Sequence, residues 1–190
     1  MSDHQTITPC GAEEWRAWLR QHHDSEQAVW VVFYKKHTDR DAMSWSAAVE
    51  VALCFGWIDS TRRTLDDDRF VQYFTRRKPK SMWSRVNKES IHRLTAEGRM
   101  APAGLASVAE AKRNGSWSFL DEVEALVIPP DLKQVFTARS DVKGYFHGLS
   151  KSRRKGLLTS LLLAKRPETR RKRIDAFIAQ MPSSAKGEAN

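Results

Sequence analysis

Between Cys54 and Lys88 the chain reads CFGWIDSTRRTLDDDRFVQYFTRRKPKSMWSRVNK, and apolar and polar residues alternate through much of it. Period-two alternation places successive side chains on opposite faces of a strand. The pattern predicts a hairpin: Trp57 to Leu65 outward, a turn at Asp66 to Asp68, and Arg69 to Thr75 back. On the outgoing strand Ile58, Ser60 and Arg62 are expected on one face, with Trp57, Asp59 and Thr61 on the other. On the return, Phe70, Gln72 and Phe74 oppose Val71, Tyr73 and Thr75. Both faces are partly polar, which suits a sheet beside a cleft.

The flanking segments switch to other periods. Ala12 to His22 places Trp15, Trp18 and Leu19 on one helical stripe, with Glu13 and Glu14 in the first turn, where the helix dipole favours negative charge. Residues 28–35, AVWVVFYK, are β-branched and aromatic on both faces, so they predict a central strand covered on both sides. A polar turn follows at Thr38-Asp39-Arg40-Asp41. Ser44 or Ser46 is expected to cap a helix that buries Ala47, Ala48, Val51, Ala52 and Phe55 and ends at Gly56. This strand–helix–strand order allows a right-handed parallel crossover or a mixed pairing.

After the hairpin, Arg76 to Ser81 reads as an exposed basic loop stiffened by Pro79. Ser84 is expected to cap a helix from Arg85 to Ala96, with Asn87, Ile91 and Leu94 on one stripe. Pro102 opens another helix through Asn114, with Leu105, Val108 and Ala109 inward. Trp117 to Phe119 is expected to pack back. From Ile128-Pro129-Pro130 onward the pattern is that of short amphipathic helices joined by short loops, the signature of a small bundle. The organisation expected is an α+β domain over residues 1–128, a helical segment over 129–182 and a polar tail over 183–190. The fold class is α+β, a small mixed β-sheet with packed helices followed by helices alone.

Several of these stretches carry a resemblance. ALCFGWIDST, RFVQYFTRRKP, WSRVNKESIHRL, EGRMAPAGLA and KRPETRRKRI together resemble the YdeI/OmpD-associated, or bacteriocin-protection, family. The resemblance runs from Ala28 to Ala179. It implies a bacterial protein and suggests a role in envelope or antimicrobial-peptide stress. It supplies no catalytic residues to carry over.

Charge sharpens the picture. The net charge is +9, yet residues 1–75 are net −4 and residues 76–190 net +13. Two blocks supply the excess: residues 76–100 at +6 and residues 151–173 at +9. Such blocks attract phosphates, acidic headgroups or acidic proteins, or simply solvate a face. No run approaches the roughly 18 apolar residues of a membrane span, and MSDHQTITPC lacks the features of an export signal, so a soluble cytoplasmic protein is expected. Cys10 and Cys54 make neither a disulfide framework nor a metal spacing. Phosphate loops, dinucleotide fingerprints and nucleophile elbows are absent, and no cofactor is expected.

The candidate ligand-binding residues are Trp57, Asp59, Arg76, Arg77, Lys78, Trp83, Ser84 and Asn87. Positive charge beside free N–H groups at a helix start favours an anion, a small molecule or nucleic acid, and Trp83 is placed to stack on a ring. The alternatives are an enzyme with Asp59 as acid or base beside Arg76 or Lys78, and an interaction protein in stress resistance.

Overall fold

The computed structural model describes residues 4–38 and 42–182. The expected turn residues 39–41 and tail 183–190 lie outside them. Contacts divide the chain into two compact units, residues 1–119 and residues 120–190.

The first unit runs β1 (Thr6–Ile7), α1 (Ala12–His22), β2 (Ala28–Tyr34), α2 (Trp45–Cys54), β3 (Trp57–Thr64), β4 (Arg69–Arg76), α3 (Arg85–Ala96) and α4 (Pro102–Arg113). The strand order is β1-β2-β4-β3. β1 joins β2 in parallel, while β4 is antiparallel to both β2 and β3. The sheet is therefore mixed and the fold α+β. Of the two pairings that the sequence left open, the structure has the mixed one: β2 and β3 run parallel to each other but are not neighbours. The hairpin return, β4, is inserted between them, so the β2–α2–β3 unit is split. The two-residue β1 was not read from the sequence; it is too short for any period to show.

One sheet face carries the core. Val29, Val31 and Phe33 stand opposite Phe74, Gln72 and Phe70, and against them pack Trp15 and Leu19 of α1, Val51 and Ala52 of α2, and Ile91 and Leu94 of α3. The large buried indoles are satisfied: Trp15 Nε1 donates to the Ala48 carbonyl at 3.1 Å, and Trp57 Nε1 to that of His23 at 3.2 Å. The other face is thinner than the two-sided strand expected. Trp30 and Tyr34 are only half-buried. Tyr73 lies against Trp30 at 4.7 Å between centroids, and the Arg63 guanidinium sits 4.6 Å over the Trp30 ring.

α4 corrects another expectation. Its buried stripe is Gly104, Val108 and Ala111, while Leu105 is 46% exposed and Ala109 is exposed. The cause is a close approach: a Cβ on Gly104 would lie 2.2 Å from the Cys54 carbonyl oxygen. The backbones meet where a side chain has no room, and that contact sets the rotation of the helix. Gly56, at φ +72, turns the chain from α2 into β3 beneath the same helix, with Ser107 and Ala103 close to it.

The second unit is helical: α5 (Asp121–Glu124), α6 (Pro130–Ala138), α7 (Ser140–Gly148), α8 (Lys151–Leu163) and α9 (Pro167–Ala179). Leu132, Phe136, Phe146, Leu158, Leu161, Ile174, Phe177 and Met181 form its core, as the helical periods predict, joined by Val123 and Val142. Pro130 and Pro167 sit in first turns, where a missing N–H costs nothing.

Candidate functional site

The geometry around Asp59 starts from an irregularity in the hairpin. Asp59 pairs with Phe74 and Arg62 with Gln72, so two residues of β3, Ser60 and Thr61, oppose Tyr73 alone. This β-bulge reverses the alternation after it. Asp59 and Arg62, expected on opposite faces, share the core-side face, and Arg63 takes the opposite one. Asp59 is half-buried. Its Oδ2 accepts from Trp45 Nε1 at 3.0 Å and from Gln72 Nε2 at 2.9 Å. Gln72, 4% exposed, also donates to the Ser60 carbonyl at 3.2 Å, so the bulge is held by a buried amide. The Asp59 carboxylate thus has neutral donors from α2 and β4. Neither Arg76 nor Lys78 forms an ion pair with it.

Arg76 and Arg77 leave β4 differently from the exposed loop that was expected. The Arg76 guanidinium caps the turn after α1: Nη2 donates to the His23 carbonyl at 2.8 Å and also to that of Asp24. Arg77 is 8% exposed, lies 3.7 Å over the Trp83 ring and donates from Nη2 to the Met82 carbonyl at 2.8 Å. Among the described residues no group accepts from Arg77 Nε or Nη1, or from Arg76 Nε. Burial pushes the Arg77 guanidinium down to about 10, with the Asp59 charge opposing the shift. The two arginines line a cavity of ≈ 270 Å³ with His23, Gly56, Pro79 and Ser107, and with Asp24 and Glu110 on its wall. Small residues at Gly56, Ala103 and Ala106 keep that space open.

The remaining sequence candidates separate. Trp57 and Trp83 are core residues, 0% and 2% exposed, so neither presents a ring face to a base. Ser84 caps α3 as expected, accepting from the Asn87 N–H at 3.3 Å, and both residues are half-buried. Lys78 and Lys80 are exposed, while the loop between them is pinned: Asn114 Nδ2 and Ser116 Oγ both donate to the Pro79 carbonyl, at 2.8 and 3.2 Å. The sequence pattern gave Trp117 no part in the site. It packs on Trp83 at 5.0 Å, with the Lys88 and Lys112 ammonium groups each 5.4 Å over its ring. Its segment was expected to pack back, but its partners lie too far apart in sequence for any local signal. The structure therefore brings Arg76 and Arg77 to one cavity, Arg77 onto Trp83, and Asp59 to Trp45 and Gln72. It does not bring all eight candidates to one point.

Two comparisons with known families bear on this chain. Residues 7–107 match the model of a domain of unknown function, DUF8412. The chain belongs to the DUF8412 family. Residues 125–183 match the family described as Bacteriocin-protection, YdeI or OmpD-Associated, the resemblance carried by KRPETRRKRI. The other four resembling stretches fall within the DUF8412 match. No curated protein and no solved structure matches the chain.

The DUF8412 region holds the Arg77 cavity and the Asp59 network. Much of its basic charge is answered locally. Arg93 meets Glu50 at 2.5 Å and Glu97 at 2.9 Å, and Arg85 meets Glu89 at 3.4 Å; just past the matched residues, Arg113 pairs with Glu110. The YdeI/OmpD-associated region holds the densest basic block, on α8 and α9, where Arg170 pairs with Asp131 while Arg166, Arg171 and Lys172 are exposed. Among the described residues no group of acids, histidines or cysteines is placed to hold a metal ion, and no helix is long and apolar enough to cross a membrane.

Proposed function

We propose that the chain is a binding module for a small anionic ligand, taken up in the cavity beside Arg76 and Arg77. One observation carries this reading. Two guanidiniums line a single cavity, Arg77 is withdrawn from solvent, and among the described residues neither has a carboxylate within ion-pair distance. A buried cation without a counter-charge is held at a cost of several kcal/mol by desolvation. An oxyanion or carboxylate entering the cavity reduces that cost, in a setting of low dielectric where charge acts strongly. Of the acidic residues on the wall, Glu110 is paired with Arg113, and the Asp24 side chain, 84% exposed, points its charge into solvent-screened surroundings.

Thermal unfolding with inorganic phosphate, sulfate and small carboxylates tests the reading. The wild type is expected to gain stability saturably. Ala106→Leu, which fills the cavity from an exposed position, and Arg77→Met are both expected to lose that gain. A gain retained in both variants sinks the proposal.

A second reading, nucleic-acid contact, has support in the second unit, where residues 151–173 carry net +9. Its test is fluorescence polarisation with single- and double-stranded probes at two salt concentrations. Replacing Lys165, Arg166, Arg171 and Lys172 by Ala should weaken binding and flatten its salt dependence. Arg76 and Arg77 are poor targets for that experiment, because both are built into the fold. In either reading Asp59 acts as a positioning group, its carboxylate fixing Trp45 and Gln72. The description of the family matched at residues 125–183 offers a setting, protection against bacteriocins, in which such a module would act.

A further inference from the structure

A second cavity, of ≈ 610 Å³, opens at the other end of the sheet, where the ends of β2 and β4 meet the first turn of α2. Its volume falls in the range of roughly 300–1,000 Å³ typical of small-molecule sites. Its walls are Phe33, Phe70 and Trp45, and its cations are Lys35, Lys36 and Arg62. Three features of its construction point to a ligand.

First, Trp45 is 48% exposed, unlike Trp15, Trp57 and Trp83, which are core. An indole left half in water at the mouth of a cleft is nevertheless fixed in place, because its Nε1 donates to Asp59 at 3.0 Å. Asp59 is in turn fixed by Gln72, buried in the sheet. Second, the bulge turns Arg62 onto this face and lays its guanidinium 3.7 Å over the Phe70 ring. Without the bulge Arg62 would stand on the opposite face. A guanidinium stacked on an aromatic ring keeps its planar edge available for an acid. Third, among the described residues two carboxylates of the neighbouring turn are engaged elsewhere: Asp66 by Arg69 at 2.7 Å, and Asp68 by a hydrogen bond with His37 at 3.2 Å. Lys35 Nζ donates to the Asp66 carbonyl at 2.8 Å, which leaves two of its three N–H groups unassigned to that bond. Ser44, the cap of α2, also lines the cleft, so the positive end of that helix dipole adds to the same field.

We infer that this cleft binds a planar aromatic acid, a flat ring stacked on Trp45 with its phosphate or carboxylate held by Arg62, Lys35 and Lys36. Both halves of that chemistry are required. The aromatic walls alone would take any apolar ring, and the cations alone would take any anion. The site is independent of the Arg77 cavity, and none of the named cleft residues lines that one.

Isothermal titration with adenosine monophosphate, adenosine, 2-naphthoate and inorganic phosphate tests the assignment. At least one of the two ring acids should bind saturably. Adenosine and inorganic phosphate should each bind weaker by about tenfold or more, since each lacks one half of the recognition. Preference between the two ring acids identifies phosphate or carboxylate as the acid. Trp45→Ala and Arg62→Gln should each weaken the bound acid by about tenfold. Both residues are exposed, so loss of the fold is not the expected result, and circular dichroism verifies this. Trp45→Phe keeps a ring without the Asp59 hydrogen bond and should retain more of the affinity than Trp45→Ala. Ala106→Leu, which closes the other cavity, should leave this binding unchanged. Absence of saturable binding by both ring acids overturns the inference. So does binding of adenosine or inorganic phosphate as tight as that of the ring acid that binds, or binding indifferent to Trp45→Ala and Arg62→Gln.

Discussion

The two units treat the same residue types in opposite ways. In residues 1–119 a helical glycine, Gly104, is pressed against the backbone of a neighbouring element, and an arginine, Arg77, is buried over an indole without a counter-ion. In residues 120–190 a helical glycine, Gly156, has nothing within 4 Å of its missing Cβ. There an arginine, Arg170, makes two bonds to Asp131, at 2.7 and 2.8 Å, from a partly exposed position. The first unit is built by close approach and by polar groups placed inside; the second by apolar stripes, with its ion pairs Arg170–Asp131 and Lys155–Glu124 at partly exposed margins. The difference teaches that tolerance to substitution follows from packing, and that residue type says little about it. A module with an interior charge also has something to offer a ligand that a simple bundle lacks.

The largest test of this contrast is Gly104→Ala. The added methyl meets a backbone oxygen that has no rotamer to escape into, and a loss of about 3 kcal/mol is expected in urea unfolding. A loss near zero would mean that α4 slides freely and that the close approach does not set its rotation. Next is Asp59→Ala, which leaves Gln72 Nε2 with one acceptor and frees Trp45; about 2 kcal/mol is expected. Trp45 mobility, read from fluorescence anisotropy in a background where it reports separately, should rise in the same variant.

Gly156→Ala in the second unit should act with the opposite sign. Open space and a helical backbone predict a gain of up to about 1 kcal/mol from reduced unfolded-state entropy. Asp131→Asn should cost about 1 kcal/mol or less, because the pair is partly exposed. Its pH dependence fixes the sign. Arg170 holds the Asp131 carboxyl below its ordinary value of 3.8, so the folded state binds the proton less readily than the unfolded chain. The contribution is complete above that ordinary value and is lost as pH falls through the lowered one. Wild type and variant should therefore converge in acid.

The smallest effect at neutral pH is expected from Arg77→Met, which exchanges a buried, unpaired charge for an apolar chain of similar length. Stability should stay within about 1 kcal/mol of wild type. At alkaline pH the two should diverge. The folded Arg77 loses its proton near 10 and the unfolded one only at higher pH, so the unfolded state binds more protons in that window. Wild-type stability should rise there relative to the variant, as paired urea titrations would show. A large loss at neutral pH would instead mean that the stack on Trp83 stabilises the fold by more than burial of the charge costs.

Much of the fold could be read along the chain. Ala12–His22 and Arg85–Ala96 were expected with those bounds, and the hairpin differs by one residue at each strand end. Caps at Ser44 and Ser84 and the glycine turn at Gly56 follow from chemistry within three or four residues, which a sequence displays directly. The candidate site was less legible. Charge density located Arg76 and Arg77 but could not tell that one caps carbonyls at 23 and 24 while the other lies on Trp83. Trp45 and Trp117, which matter to the cleft and to the basic loop, carry no local mark, because their partners lie far away in sequence.

The sequence by itself determined which stretches are helix, strand and turn, since those choices rest on periodicity, capping and backbone freedom within a few residues. Tertiary structure alone decided that β4 inserts between β2 and β3, that a bulge at Ser60 and Thr61 turns Arg62 to the side of Asp59, and that Gly104 sets the face of α4. Each of these depends on which distant backbone lies alongside. A shift of one residue in that pairing exchanges the two faces of a strand without changing any local preference.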